Sequence, residues 1–186
     1  MKHGAVVVWF TGLSGAGKSS IAALVAERMT ARGDCVELLD GDVIRGLFPN
    51  TGFSVKERAE HVRRVGFLAS RLVYHGVSVI AALISPSSAS RAFVRNLCHE
   101  FVEVHVSTPI SVCERRDTKG LYARARLGQL RDFTGIDAPY EIPSNPEVTI
   151  DTTQMSVDDA AALVLDAIAR RRKAIESNVV VSDGRR

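Results

Sequence analysis

Gly12-Leu13-Ser14-Gly15-Ala16-Gly17-Lys18-Ser19 carries the pattern G-x-x-x-x-G-K-[ST] of a phosphate-binding loop. Its flanks suit that chemistry. Ala5 to Phe10 is an apolar run of strand length, and Ser20 to Arg32 carries Ile21, Leu24, Val25 and Met29 at helical spacing. Glycines let such a loop curl until its N–H groups face one oxyanion. The N-terminus of the following helix adds partial positive charge at the same place. The residues from Gly12 through Ser20 are therefore expected to cradle the phosphates of ATP. Lys18 would reach the β- and γ-phosphates and the Ser19 hydroxyl would ligate Mg²⁺.

The rest of the 186 residues suits one domain with a sizeable core. A net charge of +3 is too weak for a nucleic-acid-coating protein. No apolar stretch approaches the ~18 residues that span a bilayer. Cys35, Cys98 and Cys113 lack metal-ligand spacing and are odd in number. Free thiols in a reduced cytoplasmic compartment are the expectation, and the N-terminus lacks a cleavable signal pattern.

Strand-like runs recur at Cys35–Leu39, Val77–Leu83, Phe101–Val106 and Val148–Ile150, with helical segments between them. Pro49, Asn50 and Gly52 mark a turn. Ser54 and Glu57 have capping-box spacing ahead of a helix with Val62, Val65, Ala69, Leu72 and Val73 on one face. A helix runs through Arg91 to Cys98, and Pro109 opens a short one through Cys113. The last helix starts after Ser156 with Leu163, Val164, Ala167 and Ile168 inward. This alternation predicts an α/β fold with a mostly parallel five-stranded sheet flanked by helices, of the P-loop NTPase type. Residues 1–175 are expected to form one domain with a lid at about 117–143, and 176–186 a tail. Arg170-Arg171-Arg172-Lys173 reads as a solvated basic end. Ligands in such sheets sit at the carboxyl ends of the strands. The phosphate loop, Asp40-Gly41-Asp42 and Ile84-Ser85-Pro86 all follow strand ends, so they should converge on one cleft.

Four further stretches resemble one family. Leu39-Asp40-Gly41-Asp42 with Arg45 is similar to its L-D-G-D-x-x-R motif. Gly52-Phe53-Ser54 with Arg58 and Arg63-Arg64 resembles G-F-S-x-x-D-R-x-x-N-x-R-R, and Ala82 to Pro86 resembles A-L-I-S-P-Y. Lys119 to Tyr122, with Phe133 to Asp137 and Pro139 to Glu141, resembles K-G-L-Y … F-T-G-I-D-x-P-Y-E. The family is adenylylsulfate kinase (APS kinase), and the resemblance runs from about Val7 to Thr152.

The resemblance implies ATP-dependent phosphorylation of the 3′-hydroxyl of adenosine 5′-phosphosulfate (APS), giving PAPS. Each matched residue suits that task. Asp42 can orient the acceptor hydroxyl, accept its proton or hold Mg²⁺ through water; Asp40 shares its motif. Arg45 and Arg58 offer planar forks for phosphate and sulfate oxygens. Phe53 and Phe133 are implied to sandwich the acceptor adenine, with Ile84 and Ser85 contacting the acceptor. Lys119 would reach the transferring phosphate or the sulfate, and Arg116 would lie over the ATP adenine. Tyr122 and Tyr140 read equally as packing or contact residues. The resemblance labels Ser85 a phosphoserine intermediate. No base adjoins Ser85 in sequence, so its residues favour direct transfer instead. A homodimer, and ATP sulfurylase as functional partner, are also implied.

Four positions depart from the motifs: His61 replaces Asn, Ser87 replaces Tyr, Ser90 replaces Asp and Val43 replaces Asn. His61 reads either as an acceptor contact or as an exposed helix histidine. These departures keep two other readings in play. One is a kinase for another nucleotide-linked acceptor such as a cytidine diphosphoramidate; the other is a non-catalytic nucleotide-binding partner of ATP sulfurylase.

Overall fold

The computed structural model describes residues 4–48 and 51–183. Five strands, β1 (Val7–Thr11), β2 (Val36–Asp40), β3 (Ser78–Ala82), β4 (Phe101–Val106) and β5 (Val148–Ile150), form one parallel sheet in the order β2-β3-β1-β4-β5. The sheet was expected, and its parallel pairing puts every carboxyl end on one edge.

β1, β3 and β4 are buried along their whole length, as apolar strands covered on both faces must be. Side chains alternate across a strand. Val8 and Phe10 thus meet α1 (Lys18–Ala31) and α7 (Val157–Asp183) through Ile21, Val25, Met29, Val164 and Ile168. Val7 and Trp9 meet α3 (Val55–Tyr74) and α4 (Ser88–Leu97) through Val62, Val65, Ala69 and Val94. The Ser54–Glu57 capping box is formed at the start of α3, each residue's side chain bonding the other's backbone N–H.

Three expectations are corrected. Two short helices, α2 (Gly41–Leu47) and α6 (Leu121–Arg126), occupy stretches read as irregular; α5 (Ile110–Arg116) lies between them in the chain. Helices of one or two turns show no periodicity, and local caps hold them. Asp40 accepts from the backbone of Asp42 at 2.8 Å and Val43 at 3.3 Å, and Asp117 accepts from those of Tyr122 and Ala123 at 3.0 Å each. On α7, Leu163 faces outward and Leu165 inward. The basic run is not simply solvated, for Arg172 pairs with Asp34 at 2.9 Å in a largely buried position, and Arg171 pairs with Glu100 at 3.0 Å. The backbone of α7 stays helical to Asp183. Pro49, Asn50 and residues 184–186 lie outside the described residues. Among the described residues, no helix is long and apolar enough to cross a membrane, and Cys35, Cys98 and Cys113 are free thiols.

Candidate active site

The phosphate loop turns where only glycine fits. Gly12 has φ +146°, and a Cβ there would stand 2.4 Å from the Val106 carbonyl oxygen. The loop's carbonyl groups are held from beneath. Tyr122 donates its hydroxyl to the Ser14 carbonyl at 2.9 Å, while Thr108 and Thr152 donate to that of Ala16 at 3.1 and 2.9 Å. Lys18 is buried, 8% exposed, and donates Nζ to the carbonyl oxygens of Gly12 at 2.9 Å and Leu13 at 2.7 Å. Burial pushes its pKa down to about 8, because the charged form loses hydration that two carbonyl groups only partly replace.

The three strand-end segments converge as expected. Ser19 donates its hydroxyl to Asp40 at 3.2 Å, and the Gly12 N–H reaches the Ile84 carbonyl at 3.4 Å. Gly41 packs so closely that a Cβ would lie 2.8 Å from Leu83 Cγ. Asp42 stands near enough to Lys18 for its charge to raise the lysine's pKa, against the larger effect of burial. It makes an exposed ion pair with Lys119 from segment 117–143. Asp42 and Lys119 have been brought together across 77 residues of chain.

The arginines sit in two clusters. Arg45 donates to the Gly52 carbonyl at 2.6 Å and lies 4.6 Å from the centre of the Phe53 ring. Arg58 donates to Thr134 Oγ1 at 2.6 Å, which ties α3 to segment 117–143. Arg116 bonds Thr152 Oγ1 at 2.7 Å and the Gly15 carbonyl at 3.3 Å, placing it at the rim of the phosphate loop. The two aromatic rings have different neighbours. Phe53 is 60% exposed beside Arg45, whereas Phe133 meets Tyr122 edge-on at 5.0 Å and packs on the core.

Two residues differ from their simplest readings. His61 is buried, not exposed. Its Nε2 lies 2.9 Å from the Gly41 carbonyl, so Nε2 carries the proton and Nδ1, which has no partner among the described residues, is a bare acceptor. Burial, with the charge of Arg45 behind it, lowers its pKa from 6.5. Ser85 is 2% exposed with φ +38°, and its Oγ accepts from Trp9 Nε1 at 3.1 Å. Sequence reasoning did not single out Arg91, Thr108, Thr134 or Thr152. Thr108 and Thr152 follow β4 and β5, so the strand-end rule itself was the missed signal.

A phosphate loop after the central strand, a buried lysine within it and a carboxylate after β2, at the same carboxyl edge with β3 between, define a P-loop kinase. The model of the family described as adenylylsulphate kinase matches residues 4–151, and the chain belongs to that family. The adenylyl-sulfate kinase of Synechococcus sp. (strain JA-2-3B'a(2-13)) is 48% identical over 172 residues, covering 92% of this chain and 98% of that one. The structure of Mycobacterium tuberculosis APS kinase CysC in complex with AMPPNP and APS is similar with a TM-score of 0.85 at 44% identity, covering 89% of this chain and 98% of that one. A hexameric APS kinase from Thiobacillus denitrificans gives a TM-score of 0.69 at 34% identity, covering 92% of this chain and 30% of that one.

Proposed function

We propose that the chain transfers the γ-phosphoryl group of ATP to the 3′-hydroxyl of APS, giving PAPS and ADP. The observation that carries this reading is the meeting of Lys18, Asp42 and Lys119 at the carboxyl edge of β1 and β2, in a chain of this family. A bond forms from the acceptor 3′-oxygen to the γ-phosphorus. The bond from that phosphorus to the β–γ bridging oxygen breaks, and Asp42 takes the hydroxyl proton. Lys18 and Lys119 would offset negative charge on the moving phosphoryl oxygens. Arg45 and Arg58 would hold the phosphate and sulfate of APS, with Phe53 and Phe133 against its adenine and Arg116 beside that of ATP.

Mg²⁺ fits the donors present. Ser19 Oγ and Asp40 are hard oxygen donors 3.2 Å apart, with Asp42 able to act through water. Few protein ligands suit an ion that keeps phosphates and waters in its shell. Bound there, it would supply charge neutralisation at the phosphates.

The occupied, buried Ser85 hydroxyl supports direct transfer, with Ser85 and Ile84 as acceptor contacts. Segment 117–143 serves as lid in this reading. A homo-oligomer is consistent with the hexameric relative. ATP sulfurylase, which makes APS, would be its functional partner, and the free thiols fit a cytoplasmic setting.

ADP release measured with APS and with cytidine diphosphoramidate tests the reading. Turnover with APS is expected. Turnover with the second compound alone would move the acceptor, and none with either would leave a nucleotide-binding partner. With ATP made chiral at the γ-thiophosphate, inversion at phosphorus is expected, whereas net retention would reinstate Ser85 as an intermediate.

A further inference from the structure

Arg91, on the first turn of α4, has no part in the reaction as written, yet the residue is buried, 3% exposed, and each nitrogen of its guanidinium has a contact. Nη1 donates to the Ser85 carbonyl at 2.7 Å. Nη2 donates to the Glu141 carbonyl at 2.6 Å. Nε faces Glu103 of β4 in an ion pair at 2.9 Å. One planar fork thus joins three pieces of chain: the sheet, the loop on the acceptor side of the cleft, and the returning end of the lid segment.

Other contacts tie the end of the segment to its surroundings. The Glu141 N–H donates to the Pro86 carbonyl at 2.9 Å, and the Glu141 carboxylate accepts from the Ser88 N–H at 2.7 Å. Tyr140 shares a 2.9 Å hydrogen bond with Thr11 at the end of β1. The loop so gripped is a costly one. Ser85 holds φ +38° immediately before Pro86, a conformation that a residue with a Cβ adopts only when its surroundings impose it.

We propose that Arg91 is a positioning residue for the acceptor side of the reaction. It holds the Ser85–Pro86 bend in its left-handed form and fastens the lid's end at Tyr140–Glu141 to that bend. The lid then has a fixed hinge on the acceptor loop. Lys119 and Phe133, its substrate-facing side chains, are then placed relative to a point already registered on Ile84 and Ser85. Lysine at this position would keep the charge opposite Glu103. A point charge cannot fork to two carbonyl groups in different segments.

The proposal rests on the reading of Ile84–Ser85 as acceptor contacts, and its test separates the two. In Arg91→Lys, amide hydrogen exchange at Ser88 and Glu141 is expected to rise about tenfold, and the KM for APS to rise by about the same factor, as loss of hydrogen bonds to a charged donor implies. The KM for ATP should stay within about twofold, because among the described residues no hydrogen bond or ion pair of Arg91 goes to the phosphate loop. A variant that merely loosened the fold would move both KM values. Arg91→Met with Glu103→Gln removes both buried charges together, so neither is stranded, and the same split is expected. Unchanged exchange at Ser88 and Glu141 overturns the proposal. Raised exchange with both KM values intact also overturns it. Failure of the unaltered chain to phosphorylate APS would instead overturn the functional reading, while the exchange measurement would still report whether Arg91 fastens the lid.

Discussion

The two halves of the cleft are built differently. On the donor side, Lys18 is buried and the phosphate loop's carbonyl groups are bonded to Tyr122, Thr108, Thr152 and Arg116. On the acceptor side, the Asp42 side chain is 68% exposed in its pair with Lys119, Phe53 stands out beside Arg45, and Phe133 rests on Tyr122. An exposed ion pair is worth only ~0–1 kcal/mol, so an anionic substrate can displace it at little cost. The proposed donor site is a product of the fold's core, and the proposed acceptor site is gathered from three segments. Segment 117–143 touches both halves, since its Tyr122 supports the phosphate loop while its Lys119 pairs with Asp42.

Replacing the charged groups on either side gives the largest effects and separates the halves by stability. Lys18→Met and Asp42→Asn should each lower kcat on the order of 10²–10³-fold. Lys18→Met should not lower the melting temperature, because the buried ammonium is held below its ordinary pKa and its charge is a burden on the fold. Near-normal kcat in both variants would remove the site assignment.

Next comes Phe133→Ala. Stacking on a base is worth ~1–3 kcal/mol, so APS binding should weaken roughly 10- to 100-fold while ATP binding changes far less. Equal losses for the two ligands in equilibrium titrations would show that Phe133 acts through Tyr122 on the phosphate loop, and the adenine clamp would fall.

The donor side also has a pH signature. With a pKa of about 8 in the free chain, Lys18 loses its proton above that pH. The kcat/KM for ATP should then fall, by up to about tenfold per pH unit. Bound phosphates favour the charged lysine, so kcat at saturating ATP should lack that limb. For stability the sign is opposite: the unfolded chain holds the Lys18 proton to higher pH, and this group's contribution rises between pH 8 and its ordinary value of 10.5. A kcat/KM profile flat across pH 8 would contradict the buried, carbonyl-bound lysine.

The smallest effect concerns His61. Its Nε2–H holds the Gly41 carbonyl, next to Asp42. The amide of a glutamine can reproduce that bond, whereas an asparagine amide stands nearer the place of Nδ1. His61→Gln should keep kcat within about twofold and His61→Asn should lose a few-fold, the scale of one neutral hydrogen bond. The reverse order would make Nδ1 the working atom, in contact with the acceptor. The folded-state pKa lies below 6.5, so this histidine's stabilising contribution is lost as pH falls through that lowered value. Thermal melts of His61→Gln should accordingly show a weaker decline on that acid limb.

Much of this was legible along the chain because the interactions concerned are local or periodic. The phosphate loop is eight consecutive residues, the capping box spans four, and β4 and β5 match their apolar runs residue for residue. The misreadings have physical causes. α2 and α6 are too short to display a helical period, and their starts are set by Asp40 and Asp117. Leu163 and Leu165 are both apolar, and only the docking angle of α7 decides which faces the sheet. Arg172 looked like one more solvent-facing cation until its distant partner Asp34 was in place.

The sequence by itself determined the parallel sheet, the nucleotide loop and the family, since strand runs, glycine positions and motif spacing are properties of neighbouring residues. Tertiary structure alone decided which side chains meet across long stretches of chain. It lowered the pKa of Lys18 by burial, left His61 Nδ1 without a partner among the described residues and gave the Ser85 hydroxyl to Trp9. It also set Arg91 between Ser85, Glu103 and Glu141. Desolvation and hydrogen-bond satisfaction depend on everything packed around a group, and most of those neighbours are remote in sequence.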